Sequence, residues 1–196
     1  MKHLKMIALT GGIGSGKSCA LNILQEAGYK TLSCDKITAE LYEQDKVKKK
    51  IKKLFPSAVT GKKNLVLDRK AISEIVFNDK VMLEKLTALV TPMVLKEVKR
   101  QAKVLGGVVF VEVPLLFERS YQKKFDAVMV ITRSLKSRIE SVKVRSNLTE
   151  EEVIARINNQ FDYENADLSD YIVIPNDGNL ISLKENVLGV ASCLDE

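Results

Sequence analysis

Apolar residues recur along the chain in two rhythms, short unbroken runs and longer stretches with apolar positions three and four apart. The first marks strands buried on both faces and the second marks amphipathic helices. Strands are predicted at about Lys5 to Thr10, Tyr29 to Ser33, Val108 to Val111, Asp126 to Thr132 and Tyr171 to Ile174. Helices are predicted from Lys17 to Ala27, from Lys36 to about Leu54, and from Asp68, a plausible N-cap, to Phe77-Asn78-Asp79. Lys80 to Leu105 is helical with Pro92 inside it, so a kink or two consecutive helices are expected. Ser134 to Ser146, a second helix opened by the Thr149-Glu152 capping box, and Leu180 to Leu194 complete the set. Between them Pro56 to Leu67 carries Gly61-Lys62-Lys63-Asn64, a turn or hairpin. Strands that alternate with helices predict a single α/β domain.

One join in this pattern carries chemistry. Gly11-Gly12-Ile13-Gly14-Ser15-Gly16-Lys17-Ser18 lies between the first strand and the first helix and matches G-x-x-x-x-G-K-[ST], a phosphate-binding loop. Glycines let the backbone curl and turn its N–H groups inward, where the new helix adds its positive dipole end. Lys17 would reach the β- and γ-phosphates, and Ser18 would bind Mg²⁺. A plain glycine turn with a solvent-facing lysine is disfavoured because both flanking elements fit the motif.

Other candidates fall at strand ends, where ligands of parallel sheets bind. Asp35 follows the second strand and serves either a ligand or the next helix as N-cap. Glu112 follows the third and either helps hold Mg²⁺ or is a structural carboxylate paired with the loop. Arg138 and Arg145, seven apart, share one helix face, and Arg156 and Gln160 follow on the next helix. Such an arginine-bearing hairpin suits a lid over transferring phosphates. Glu152–Arg156 as an i,i+4 pair and Arg145 as a helix C-terminal charge are the structural alternatives.

Composition narrows the partners. Of 196 residues 45% are hydrophobic and 29% charged, the balance of an ordinary globular protein. The net charge of +6 favours polyanions in general. Lys46, Lys48, Lys49, Lys50, Lys52 and Lys53 form either a solvated helix face or an attractor for an acidic substrate. Three cysteines without disulfide or metal spacing suit a reducing cytoplasm, and a lone histidine, His3, weighs against zinc sites and histidine triads. No apolar run reaches the ~20 residues of a membrane span.

Taken together the motifs resemble the dephospho-coenzyme A kinase family over nearly the whole chain. The likeness rests on the loop, Asp35, Leu67-Asp68-Arg69, Val76-Phe77, Val113-Pro114-Leu115-Leu116-Phe117-Glu118, Arg145, Arg156, Gln160 and Asn176-Asp177-Gly178. It implies a P-loop NTPase fold, a five-stranded parallel sheet in the order 2-3-1-4-5, with an acceptor-binding segment at 35–91 and a lid at 138–166. It also implies ATP-dependent phosphorylation of the ribose 3′-hydroxyl of dephospho-coenzyme A, in the cytoplasm, by a protein expected to be a monomer. Lys17, Asp35 and Arg145 are then catalytic, and Gly11, Gly12, Gly14, Ser15, Gly16, Lys17, Ser18 and Cys19 bind ATP. Asp35, Asp68, Arg69, Pro114, Leu115 and Glu118 meet the acceptor, while Ser18 and Glu112 serve Mg²⁺. Thr91 stands where the family usually has histidine, Ser33 replaces the first aspartate of Asp-x-Asp, Ser141 replaces a lid arginine, and Cys19 a frequent threonine. The stretch from Asp170 to Asn176 is one residue longer than typical. A nucleoside monophosphate kinase is the nearest rival, but the Asp-Gly-Phe-Pro-Arg element is missing. A nucleotide switch would need Asn-Lys-x-Asp, and a nucleic-acid-binding ATPase would need aromatics among its lysines.

Overall fold

A computed structural model of the protein describes residues 3–195. In chain order its elements are β1 (Lys5–Thr10), α1 (Lys17–Glu26), β2 (Lys30–Ser33), α2 (Cys34–Glu43), α3 (Asp45–Leu54), β3 (Val59–Thr60), β4 (Val66–Leu67), α4 (Arg69–Asn78), α5 (Lys80–Leu105), β5 (Val108–Glu112), β6 (Ala127–Thr132), α6 (Leu135–Ser146), α7 (Glu150–Asn158), β7 (Ile172–Pro175) and α8 (Leu180–Asp195). They form two compact units, one running through Ser33 and resuming at Ala102, the other spanning Cys34–Gln101.

The first unit is built on a sheet in the order β2-β5-β1-β6-β7, with every neighbouring pair parallel. Counting only these five strands the order is 2-3-1-4-5, as the family resemblance implied. All five residues of β5 are buried, which is why that segment is an unbroken apolar run up to Glu112. One core joins Ile7, Leu9, Phe110, Met129 and Ile131 of the sheet to Leu21 and Leu24 of α1 and Leu183 and Val187 of α8. Full burial of such a side chain contributes about 1.5–3 kcal/mol. Cα registers of Leu9 with Glu112, Ser33 with Glu112 and Thr10 with Val130 bring the carboxyl ends of four strands to one rim, above which β1 releases the glycine loop. A smaller cluster holds Ile139, Val142 and Val153 of the α6–α7 hairpin, with Ile13 of the loop packed against it.

The second unit departs from expectation in its helices. Residues 36–54, expected as one helix, divide at Gln44, whose φ of −79° and ψ of 127° are extended. The apolar register explains the break: Ile37 and Leu41 are buried in α2 and Val47 and Ile51 in α3, but Leu41 and Val47 are six apart, off one helical face. Helix α2 opens at Cys34, so Asp35 lies in its first turn and is not its N-cap. Asp68 does cap α4, accepting from the Ala71 N–H at 3.0 Å. Residues 59–67 form the expected hairpin, β3 antiparallel to β4. Pro92 lies within a single helix, α5, and the two-helix alternative is not taken. The proline removes one N–H donor and sets its ring against the carbonyl four residues back, a cost of about 3 kcal/mol that burial of Val90, Val94 and Val98 along this helix of 26 residues offsets.

Candidate active site at the phosphate loop

The loop leaves β1 through the fully buried Thr10 and enters α1 through Gly16, whose φ of 101° puts it in the left-handed region that side chains resist. A side chain at 16 would also strike Asn176, whose Nδ2 donates to the Ser15 carbonyl at 2.8 Å. Helix α1 then starts with no side-chain cap, leaving its first N–H groups and its dipole to the loop. Lys17 folds back over the same ring, its Nζ donating to the carbonyls of Gly11 at 2.7 Å and Gly12 at 2.9 Å. Burial lowers its pKa from 10.5 to about 8; Glu112 opposes the shift while Arg138 and Arg145 add to it. A desolvated cation above an uncapped helix start is a ready receptor for an anion.

Ser18, one residue on, donates its hydroxyl to Glu112 Oε1 at 2.9 Å. Glu112 is 8% exposed, so the carboxylate expected after β5 is paired with the loop, one of the two roles left open for it. Cys19 packs against the sheet core. Pro114 and the exposed Leu115 follow β5, and Glu118 turns inward, its Oε1 accepting from the Phe161 N–H at 2.9 Å. Phe117 stacks on Phe161 at 4.6 Å and tilts against Tyr163 and Tyr171, joining this segment to the chain after α7. Tyr163 meets Thr10 Oγ1 at 3.2 Å, and its burial pushes the phenol up to about 12.

The two arginines of α6 go separate ways. Arg145 is exposed in the last turn, yet its charge is felt at Lys17. Arg138 is 3% exposed and lies against the loop: Nε donates to the Ile13 carbonyl at 3.0 Å and an Nη pairs with Glu164 at 2.8 Å. The Ile13 N–H donates in turn to Gln160 Oε1 at 2.7 Å. Glu152 is committed to the capping box with Thr149, and among the described residues it makes no pair with Arg156, which is exposed.

Asp35, Asp68 and Arg69 belong to the second unit. Arg69 is held by Glu43 at 2.6 Å and the Ala39 carbonyl at 3.1 Å, with Tyr42 beneath its guanidinium. Sequence reasoning missed Arg138 as a loop contact, Asn176 as its other fastening, and Tyr163 and Glu164 altogether. A signal existed for Arg138, since it precedes the apolar Ile139 and stands four before the apolar Val142, on the buried stripe of α6.

Comparison with known proteins bears on what this geometry serves. The family model described as dephospho-CoA kinase matches residues 5–182. A dephospho-CoA kinase of Thermus thermophilus is 34% identical over 190 residues, covering 96% of this chain and 91% of that protein. A solved structure from Thermus thermophilus, 34% identical, superposes with a TM-score of 0.85 over 100% of both chains. Shikimate kinase from Bacteroides thetaiotaomicron, at 12% identity and a TM-score of 0.54 over 98% of this chain and 99% of that one, shares the phosphate-loop kinase fold alone.

Proposed function

The chain belongs to the dephospho-CoA kinase family and is a kinase that uses ATP, and on that premise we propose that it phosphorylates the ribose 3′-hydroxyl of dephospho-CoA, giving CoA and ADP. The observation that carries the residue assignments is Lys17: a cation drawn out of water, resting on two carbonyls at the uncapped start of α1. ATP phosphates supply the negative charge that this arrangement lacks. The loop N–H groups and Lys17 hold the β- and γ-phosphates, and Arg145 balances the equatorial oxygens as charge spreads over them.

Mg²⁺ fits the donors present. Among the described residues no cluster of three His, Cys, Asp or Glu is suited to a metal, whereas Ser18 Oγ and Glu112 Oε1 offer two hard oxygens in one place. Magnesium ordinarily takes one or two such protein ligands and completes its shell from phosphates and water. When bound it would neutralise charge on the phosphates and hold them in line.

Asp35 is assigned as the group that aligns the acceptor hydroxyl and takes its proton. Its place in the chain supports this, two residues after Ser33, the strand residue in register with Glu112. Asp68 and Arg69 remain acceptor-side residues in this reading, although each already holds its own unit together as a cap and as an ion pair. The residue 35–91 segment receives the acceptor and residues 138–166 form the lid. We assign the protein to the cytoplasm, in keeping with its three free cysteines; among the described residues no helix is long and apolar enough to cross a membrane. The test is ATP consumption with and without dephospho-CoA. Turnover that depends on this acceptor supports the reading; turnover on shikimate or a nucleoside monophosphate instead overturns it.

A further inference from the structure

Both backbone polar groups of Ile13, in the phosphate loop, are held by one remote segment of the chain. Gln160 accepts from its N–H at 2.7 Å, and Arg138 donates to its carbonyl at 3.0 Å. The Ile13 side chain packs into the cluster of Ile139, Val142 and Val153. Arg138 is held in its turn by Glu164 at 2.8 Å, and it roofs the loop so closely that a Cβ at Gly12 would stand 2.7 Å from its Cζ.

Resting on the reading of this loop as the ATP site, we propose that Arg138 is a positioning residue of the reaction: with Gln160 it sets the orientation of the two peptide planes that meet at Ile13, and through them the aim of the loop N–H groups at the phosphates. The Ile13 N–H lies in the Gly12–Ile13 peptide plane and its C=O in the Ile13–Gly14 plane, and because each plane is rigid the two bonds together restrain φ and ψ at Ile13. The same contacts exclude Arg138 from the phosphate clamp that its place on the helix face suggested. Its charge is spent on Glu164 and Ile13, and Arg145 is left as the arginine of α6 that transferring phosphates can meet. The hydrogen bonds also fasten both ends of the lid segment to the loop, since Arg138 lies in the first turn of α6 and Gln160 just beyond α7.

Direct ATP binding by calorimetry without acceptor, followed by steady-state kinetics, tests this on Arg138→Ala, Arg138→Lys, Gln160→Ala and the double Ala variant. Wild-type protein that fails to bind ATP sinks the assignment of the site itself. If wild type binds, Arg138→Ala is expected to weaken ATP affinity and kcat/KM for ATP by up to ~10²-fold, the scale of an ångström-sized misplacement. KM for the acceptor should stay near wild type, Arg138→Lys should recover part of the loss, and the two Ala changes should be less than additive because both act on the backbone of one residue. ATP affinity equal to wild type in folded Arg138→Ala, with only thermal stability reduced, overturns the proposal. Should Arg138→Ala fail to fold, Gln160→Ala decides on the same readout: weakened ATP binding supports the proposal and unchanged binding overturns it.

Discussion

The two compact units carry opposite kinds of charge. Residues 34–101 hold 16 Lys and Arg against 9 Asp and Glu, a surplus of +7, while the remainder holds 15 against 16, a deficit of −1, together the chain's +6. Yet the phosphate loop belongs to the near-neutral unit. There a few cations are desolvated and aimed, Lys17 onto carbonyls and Arg138 onto Ile13 and Glu164. In the other unit α3 exposes Lys46, Lys49, Lys50 and Lys53 on one face, while Lys48 pairs with Glu43 and Lys52 donates to the Gly61 carbonyl. The number of charges is a poor guide to where phosphate chemistry occurs; their burial and their partners are a better one. Charges in low dielectric act strongly at short range, and solvated ones act weakly and are screened by salt.

The contrast can be broken most forcefully at Asp35, which comes from the lysine-rich unit. Asp35→Asn is expected to leave ATP affinity near wild type and to lower kcat by up to ~10⁴-fold, the reach of lost general base catalysis. Unchanged turnover would confine the chemistry to the loop unit. Next comes Arg145→Ala, expected to cut kcat by up to ~10³-fold with little change in ATP binding. A loss seen only in affinity would make Arg145 another holder of ground-state phosphates.

Titration gives a smaller effect. ATP prefers charged Lys17, which is protonated in the free protein below about pH 8 and loses its proton as pH rises through that value. Between about pH 7, above which the terminal phosphate of ATP is ionised, and pH 8 ATP affinity should be flat, and above pH 8 it should fall by about tenfold per pH unit at most. A flat profile to pH 9.5 would mean that Lys17 is not what the phosphates sense. Smallest of all, Gln at positions 46, 49, 50 and 53 should slow acceptor association by no more than ~10-fold at low salt, and the difference should vanish by ~0.5 M salt. A larger effect that persists in salt would place a true contact on α3.

Much of the loop unit is legible in the amino-acid sequence because its signals are local. The glycine spacing, the unbroken apolar strands and the Thr149 capping box each lie within one stretch of chain, and each forms the element it predicts. Strand order is not a pattern in the residues; family resemblance supplied it. The division of the long helix at Gln44 is written in the six-residue step from Leu41 to Val47, but the dense lysines obscure it. Arg138 illustrates the harder limit. Seven residues separate it from Arg145 and both fall on one helix face, yet a contact with Ile13, 125 residues away in sequence, turns one inward and leaves the other in water. No local periodicity encodes such a pairing. The roles of Asp68 and Arg69 are ambiguous for a related reason, since a residue that caps a helix and one that serves a ligand can be the same residue.

The roof that Arg138 makes over Gly12 also bears on how this loop can change through descent. Gly12 itself does not adopt a left-handed backbone, so what bars a side chain there is the guanidinium above it. An alanine at 12 would set its Cβ 2.7 Å from the Arg138 Cζ, so the guanidinium would have to shift, and its bonds to Ile13 and Glu164 would be disturbed with it. The two positions are therefore coupled, and a side chain gained at 12 is felt at Glu164 and Ile13 through one guanidinium.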